Sequence, residues 1–253
     1  MRDSLLLPLV FSSVWVAAAA AALAAAAALA MRSHPRPATL GLAFCGTLVI
    51  YNVDRLRDLD RDHATTPLRS AYVAEHRREL AWLALGAAAA AVALGLCAGS
   101  GAIALLAPVF AAGLLHRRLK RFGWWKPWYV SAAWTAVVVG LPAVAARAPE
   151  HVVWTAAVVG TTLAANVIAS NLRDDEAMFA RFGPRAPLRI AGGCAAISAG
   201  IALLAPSTLR PLLLLPLLTF AALARFRKDE LYGLVVVDGA LLLGALLALP
   251  LLA

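Results

Sequence analysis

Residues 14–31 contain no charged side chain and almost nothing larger than valine or alanine apart from Trp15, Leu23 and Leu29. A membrane span needs about 20 apolar residues, and no water-soluble core of this size needs runs of that length. The pattern recurs along the chain. Of 253 residues, 62% are hydrophobic and only 15% charged, and the mean hydropathy is +0.79. Soluble domains carry about 25% charged residues. A soluble globular enzyme, a disordered chain and a disulfide scaffold are therefore excluded, and the chain reads as an all-α, polytopic membrane protein forming a single domain over residues 1–253.

The apolar runs predict nine helical spans, at residues 5–31, 38–53, 79–98, 102–115, 128–147, 151–170, 188–205, 211–225 and 230–253. Two are short: 102–115 leans on Ala98-Gly99-Ser100-Gly101 as a tight turn, and 211–225 on Pro206-Ser207-Thr208 as a break. Charge placement tests the count. If the spans alternate, 19 of the 23 Lys and Arg fall on the side of the N-terminus, leaving Arg32, Arg36, Arg147 and Arg210 opposite. The positive-inside rule then sets the N-terminus in the cytoplasm, in an inner or plasma membrane. The first run is too long for the 7–15-residue core of a signal peptide, and is read as a retained span. Its alanines, with those of residues 87–92, suit close helix packing in lipid.

The net charge of +9 is accounted for by topology, because no basic stripe interleaved with aromatics lies outside the spans; nucleic acid is not an expected partner. Cys45, Cys97 and Cys194 sit singly in apolar runs without zinc or redox spacing. His116 and His151 flank spans as loop residues.

The acidic residues are concentrated. Of 14 Asp and Glu, four lie in Tyr51-Asn52-Val53-Asp54-Arg55-Leu56-Arg57-Asp58-Leu59-Asp60-Arg61-Asp62, and three are consecutive in Asn171-Leu172-Arg173-Asp174-Asp175-Glu176. Both stretches follow a span and fall on the same predicted side. Asp54, Asp58 and Asp62 stand at i, i+4 and i+8, so a continuing helix puts them on one face about 6 Å apart. Mg²⁺, which accepts one or two carboxylates and completes its octahedron with water and substrate phosphate, relieves their repulsion. A solvated helix laced with Asp–Arg pairs is the competing reading. Asp60 lies off that face as an ion-pair partner, and Asn52 is either an amide ligand or a helix-end hydrogen-bonder.

At these residues the chain resembles the UbiA superfamily of intramembrane prenyltransferases, whose nine helices surround a central cavity, with aspartate-rich motifs after helices two and six. Asp54, Asp58 and Asp62 fit the register of the first motif, and Thr66-Pro67-Leu68 resembles the Arg-Pro-Leu that follows it. Arg173-Asp174 resembles part of the second, although Met178 stands where its next Asp belongs and Ser170 occupies the preceding position. Leu119-Lys120-Arg121, Lys126 and Ser131-Ala132-Ala133-Trp134 are similar to the basic segment entering helix five; the positive-inside rule and an aromatic belt of Trp124, Trp125 and Trp128 account for the same residues.

The resemblance implies transfer of an isoprenyl group from an isoprenyl diphosphate to a lipid-soluble acceptor, aromatic or a quinone precursor, with Mg²⁺ as cofactor. Asp54, Asp58, Asp62 and Asp174 become the implied catalytic residues, and these four with Asp175 the metal ligands. Asn52, Lys120, Arg121, Asn171, Arg173 and Asp238 become the implied substrate contacts. Asp238 stands out on its own terms, as an ionisable residue about eight positions inside an apolar span, where such groups normally face a cavity or a partner. Two readings from other classes remain beside this one. A non-catalytic relative would keep the cavity but lose the second metal site. A cation-coupled transporter would place its carboxylates near the midplane, where only Asp238 lies.

Overall fold

The computed structural model describes residues 6–59, 63, 65–115, 125–173, 183 and 185–253. Among them every regular element is helical. In chain order these are α1 (Leu6–Phe11), α2 (Val14–Ala30), α3 (Pro37–Arg57), α4 (Pro67–Glu75), α5 (Arg77–Ala98) and α6 (Ser100–Leu114). There follow α7 (Lys126–Ala145), α8 (Val152–Arg173), α9 (Arg185–Leu204), α10 (Ser207–Ala224) and α11 (Tyr232–Leu252). Six helices are long and apolar enough to cross a membrane: α5, α7, α8 over Val152–Leu172, α9, α10 and α11. Val14–Ala30 and Ser100–Gly113 are apolar but shorter. Large apolar side chains such as Trp82, Val92, Leu96, Val153 and Leu204 are exposed around the bundle, as lipid-facing positions are.

The helices form a closed ring in chain order. α3 packs on α5, α5 on α6, α6 on α7, α7 on α8, and so on through α9 and α10 to α11, which returns to pack on α2. α2 also touches the middle of α7 across the ring. Being apolar all round, α2 is buried nearly all round, and its alanines let its neighbours approach closely. The half of the ring towards Met31 is filled with apolar side chains, among them Leu23, Met31, Val139, Leu163, Leu209 and Leu212. That end is tied by the Glu150 N–H donating to the Met31 carbonyl at 3.1 Å and by an exposed Arg32–Glu150 ion pair at 3.3 Å.

Two expectations need correction. The first apolar run is not one helix: it breaks at Ser12-Ser13, where Ser13 has φ 68°, and the partners that hold the break lie on α3. The second concerns where α3 stops: it ends inside the acidic stretch, of which Asp60, Arg61 and Asp62 lie outside the described residues. α3 ends at Arg57, and Asp58 leaves it at φ −103°, ψ 13°. Extending the helix would stack carboxylates on its negative C-terminal end, which is unfavourable. Asp54 and Asp58 stay adjacent, the Asp58 N–H donating to the Asp54 carbonyl at 2.9 Å, and Asp62 lies outside the described residues.

Candidate functional site

The buried charged and amide side chains gather at the end opposite Met31. Asn52 on α3 is fully buried. Its amide nitrogen donates to the Ser12 carbonyl at 3.0 Å, and its oxygen accepts from the Ser13 hydroxyl at 3.2 Å. One turn on, the buried Arg55 guanidinium donates to the carbonyls of Val10 and Phe11. They lie at the C-terminal end of α1, where helical partners run out, although the Val10 carbonyl also accepts the Ser13 N–H at 3.3 Å. Asn52 thus acts as a helix-end hydrogen-bonder, the second of the two roles its position suggests.

Tyr51 precedes Asn52 and points elsewhere. Its ring meets Trp134 of α7 edge-on, with centroids 6.1 Å apart. Among the described residues, Asp238 of α11, Arg55 and Asp54 lie within electrostatic range of its hydroxyl. Asp238 is held from a third side: the Asn166 amide of α8 donates to the Val237 carbonyl at 3.0 Å and reaches the Asp238 carboxylate at 3.4 Å. Four helices therefore contribute to one polar cluster towards the end of the ring opposite Met31. Asp238 lies at the junction of a π-helical turn, Tyr232–Val237, with the α-helix Asp238–Leu252, and Trp134 stands just before a second π-turn, Ala136–Gly140. Such turns re-aim side chains and gather at functional sites.

The rim of this end is built from charged residues. Asp58 is buried and Asp54 half-buried. Lys126, the first residue of α7, is also buried. Glu230, just before α11, reaches the N-terminus of α4: its carboxylate accepts the N–H groups of Leu68 at 3.0 Å and Arg69 at 2.7 Å. The Arg69 side chain donates to Thr66 at 2.9 Å. The segment Thr66-Pro67-Leu68 is thereby fastened to the entrance of the last span. On the same helix Tyr72 stacks on His76, centroids 4.2 Å apart, and burial, then Glu79 and Glu75, lift its hydroxyl above the ordinary phenol range.

Of the residues singled out in the sequence, Asn52, Asp54, Asp58, Asn171 and Asp238 are described. Asn171 is buried near the end of α8. Asp62, Asp174, Asp175, Lys120 and Arg121 lie outside the described residues, as does the side chain of Arg173. Among the described residues no three His, Cys, Asp or Glu side chains are grouped as metal ligands. Asn166, Tyr51, Trp134 and Glu230 were not expected as site residues. The signal for Asn166 was available, an amide alone in an apolar span.

No family model, characterised protein or solved structure matches this chain.

Proposed function

We propose that this chain is an intramembrane prenyltransferase of the UbiA kind, with nine membrane-crossing helices and its aspartate-rich segments on the cytoplasmic side. It would transfer an isoprenyl group from an isoprenyl diphosphate to a lipid-soluble acceptor. The observation that carries this reading is the pairing of Asp54 and Asp58 at the rim of a ring whose nearer half holds a polar cluster and whose farther half is packed with apolar side chains. Such a ring gives a diphosphate an acidic, metal-competent mouth, with an apolar, water-poor protein body behind it.

Asp54 and Asp58 fit Mg²⁺, which binds proteins through one or two carboxylates and takes the rest of its shell from water and phosphate. When bound, Mg²⁺ supplies neutralisation of the charge that develops on a departing diphosphate. The chain's own residues do the rest. Lys126 adds a buried positive charge at the same end, and Asp62, Asp174, Asp175, Lys120, Arg121 and Arg173 complete the mouth in this reading. The closed apolar ring excludes water that would otherwise capture the allylic cation.

The runner-up is a non-catalytic carrier that has lost the second metal site. Met178, which stands where the second motif's next Asp belongs, favours it, while the i, i+4, i+8 spacing of Asp54, Asp58 and Asp62 argues against it. Thermal stabilisation of the purified protein by farnesyl or geranylgeranyl diphosphate separates the two. An enzyme shows stabilisation that needs Mg²⁺, is abolished by EDTA and is lost in Asp58→Asn. Stabilisation indifferent to both would support the carrier, and none in a well-folded sample would end the prenyltransferase reading.

A further inference from the structure

We infer that the cleft at the start of α11 binds an aminophospholipid, with its phosphate on Arg227, its ammonium on Asp229 and an acyl chain along the helix. An open cleft of about 530 Å³ lies there, lined by Arg227, Asp229, Leu231, Tyr232, Val235 and Val236. Neither Asp54 nor Asp58 lines it, so the inference is independent of the prenyltransferase reading. Its two ends differ in chemistry. The charged pair belongs to the connection between α10 and α11, and the membrane-crossing helix begins at Tyr232. Leu231, Tyr232, Val235 and Val236 share one face of that helix's first turns. Leu231 and Val235 also pack against the Val10–Phe11 end of α1, whereas Val236 stays 39% exposed. The cleft therefore has a charged rim at the level of lipid head groups and an apolar wall running on into the hydrocarbon.

The connection that carries the two charges is pinned on both sides of Arg227. The Tyr232 hydroxyl donates to the Ala222 carbonyl of α10 at 2.7 Å, and its ring meets Phe226 edge-on, centroids 6.3 Å apart. Glu230 is fastened to the Leu68 and Arg69 N–H groups. One Asp229 oxygen accepts the Tyr232 N–H at 2.9 Å, capping the last helix, which leaves the other oxygen for a ligand. A site held in this way pays little ordering entropy on binding. Charge complementarity then selects the occupant. A guanidinium suits a phosphate, and a carboxylate in the same rim attracts an ammonium and repels a second negative charge. Phosphatidylethanolamine offers both groups, phosphatidylglycerol lacks the ammonium, and a choline head lacks N–H donors for Asp229. Arg225 and Lys228 are exposed on the same connection without lining the cleft. Together with the net charge of +9 they attract anionic lipid at large, so a preference for the zwitterion runs against the overall field and reports the cleft itself.

The test is native mass spectrometry of the purified full chain in detergent, titrated with phosphatidylethanolamine, phosphatidylcholine and phosphatidylglycerol of identical acyl chains. Wild type should take its first phosphatidylethanolamine at least about fivefold more tightly than either other lipid, the worth of about one charge at a membrane surface. Arg227→Gln should weaken phosphatidylethanolamine and phosphatidylglycerol alike by about fivefold. Asp229→Asn keeps a residue able to cap the helix, so it should fold as wild type does and lose the preference by admitting phosphatidylglycerol. Arg210→Gln, an exposed cation at the other end of α10, should change nothing. Glycerophosphoethanolamine, the head group without tails, should bind far more weakly than the lipid because the apolar wall is then unused. Equal or tighter binding of phosphatidylglycerol by wild type would overturn the inference and leave only a general attraction of anionic lipid. So would a preference that survives both Arg227→Gln and Asp229→Asn, or a tail-less head group that binds as tightly as the lipid.

Discussion

Glu230 and Arg69 are 161 residues apart, and the carboxylate of the first accepts the backbone N–H of the second at 2.7 Å. With the Leu68 N–H on its other oxygen, Glu230 caps α4 from outside the helix. Free N–H groups in a helix's first turn carry partial positive charge and favour an anion. The contact joins the segment after α3 to the start of α11, so it binds together two sides of the polar mouth.

Removing the cap should therefore loosen that mouth specifically. Glu230→Ala is expected to cost about 1–3 kcal/mol, since hydrogen bonds to a charged group are lost and two N–H groups are left beside an apolar side chain. Glu230→Gln should cost about half as much. Thermal unfolding in detergent measures the loss. Limited proteolysis should show new cleavage between residues 59 and 76 in the alanine variant before cleavage elsewhere. Uniform protection across that segment would show that Glu230 does not hold it.

The break between α1 and α2 gives a second prediction. Asn52→Ala leaves the buried Ser13 hydroxyl and the Ser12 carbonyl without the partners they have at 3.2 and 3.0 Å. About 1–3 kcal/mol of stability should go with them. Ser13 itself adopts φ 68°, a conformation that costs L-residues about 1–2 kcal/mol and β-branched ones most. Ser13→Gly loses the hydroxyl but gains backbone ease and should unfold close to wild type, whereas Ser13→Val should be markedly less stable. Equal stability of the glycine and valine variants would contradict this account.

How far the sequence announced these features depends on the range over which each is encoded. Helices were legible because apolar runs encode them locally, and the acidic end of α3 because Asp54 and Asp58 directly follow such a run. Asp238 was legible as an ionisable residue inside a span. The Ser12-Ser13 break was not, because neither residue breaks a helix strongly and the groups that stabilise it, Asn52 and Arg55, lie about 40 residues away. The end of α3 at Arg57 escaped for a similar reason: i, i+4 spacing shows where carboxylates would stand on a helix, but not where that helix stops. The π-turns insert too little to disturb apolar periodicity, and Glu230 looks like any loop acid until α4 is beside it.

Glycines separate close packing from lipid-facing helix surface. A Cβ on Gly244 would stand 3.1 Å from the Leu215 backbone and 3.3 Å from the Leu214 carbonyl, so α10 and α11 meet there backbone to backbone. Gly244→Ala should force them apart and cost about 1–3 kcal/mol. On α5, a Cβ at Gly86 meets nothing within 4 Å, and Gly86→Ala should be neutral or stabilise by up to about 1 kcal/mol through better helix propensity. Opposite shifts in unfolding temperature are the expected signature, and destabilisation by both would show that the α5 surface is also an interface.

The buried hydroxyl pair between α8 and α9 offers the smallest effect and the sharpest measurement. Thr162 and Ser198 lie 2.8 Å apart, Ser198 donates to the Val158 carbonyl at 2.7 Å, and Thr162 reaches the same carbonyl at 2.9 Å. Hydrogen bonds between membrane helices are worth about 0.6 kcal/mol on average, because the separated helices find other partners. Here one carbonyl oxygen serves two hydroxyls, so losing either leaves the other able to satisfy it. A double-mutant cycle with Ser198→Ala and Thr162→Val should thus give a coupling below about 1.7 kcal/mol, with the double variant less stable than either single one. A larger coupling would mean that the pair, rather than the apolar packing around it, holds α8 to α9.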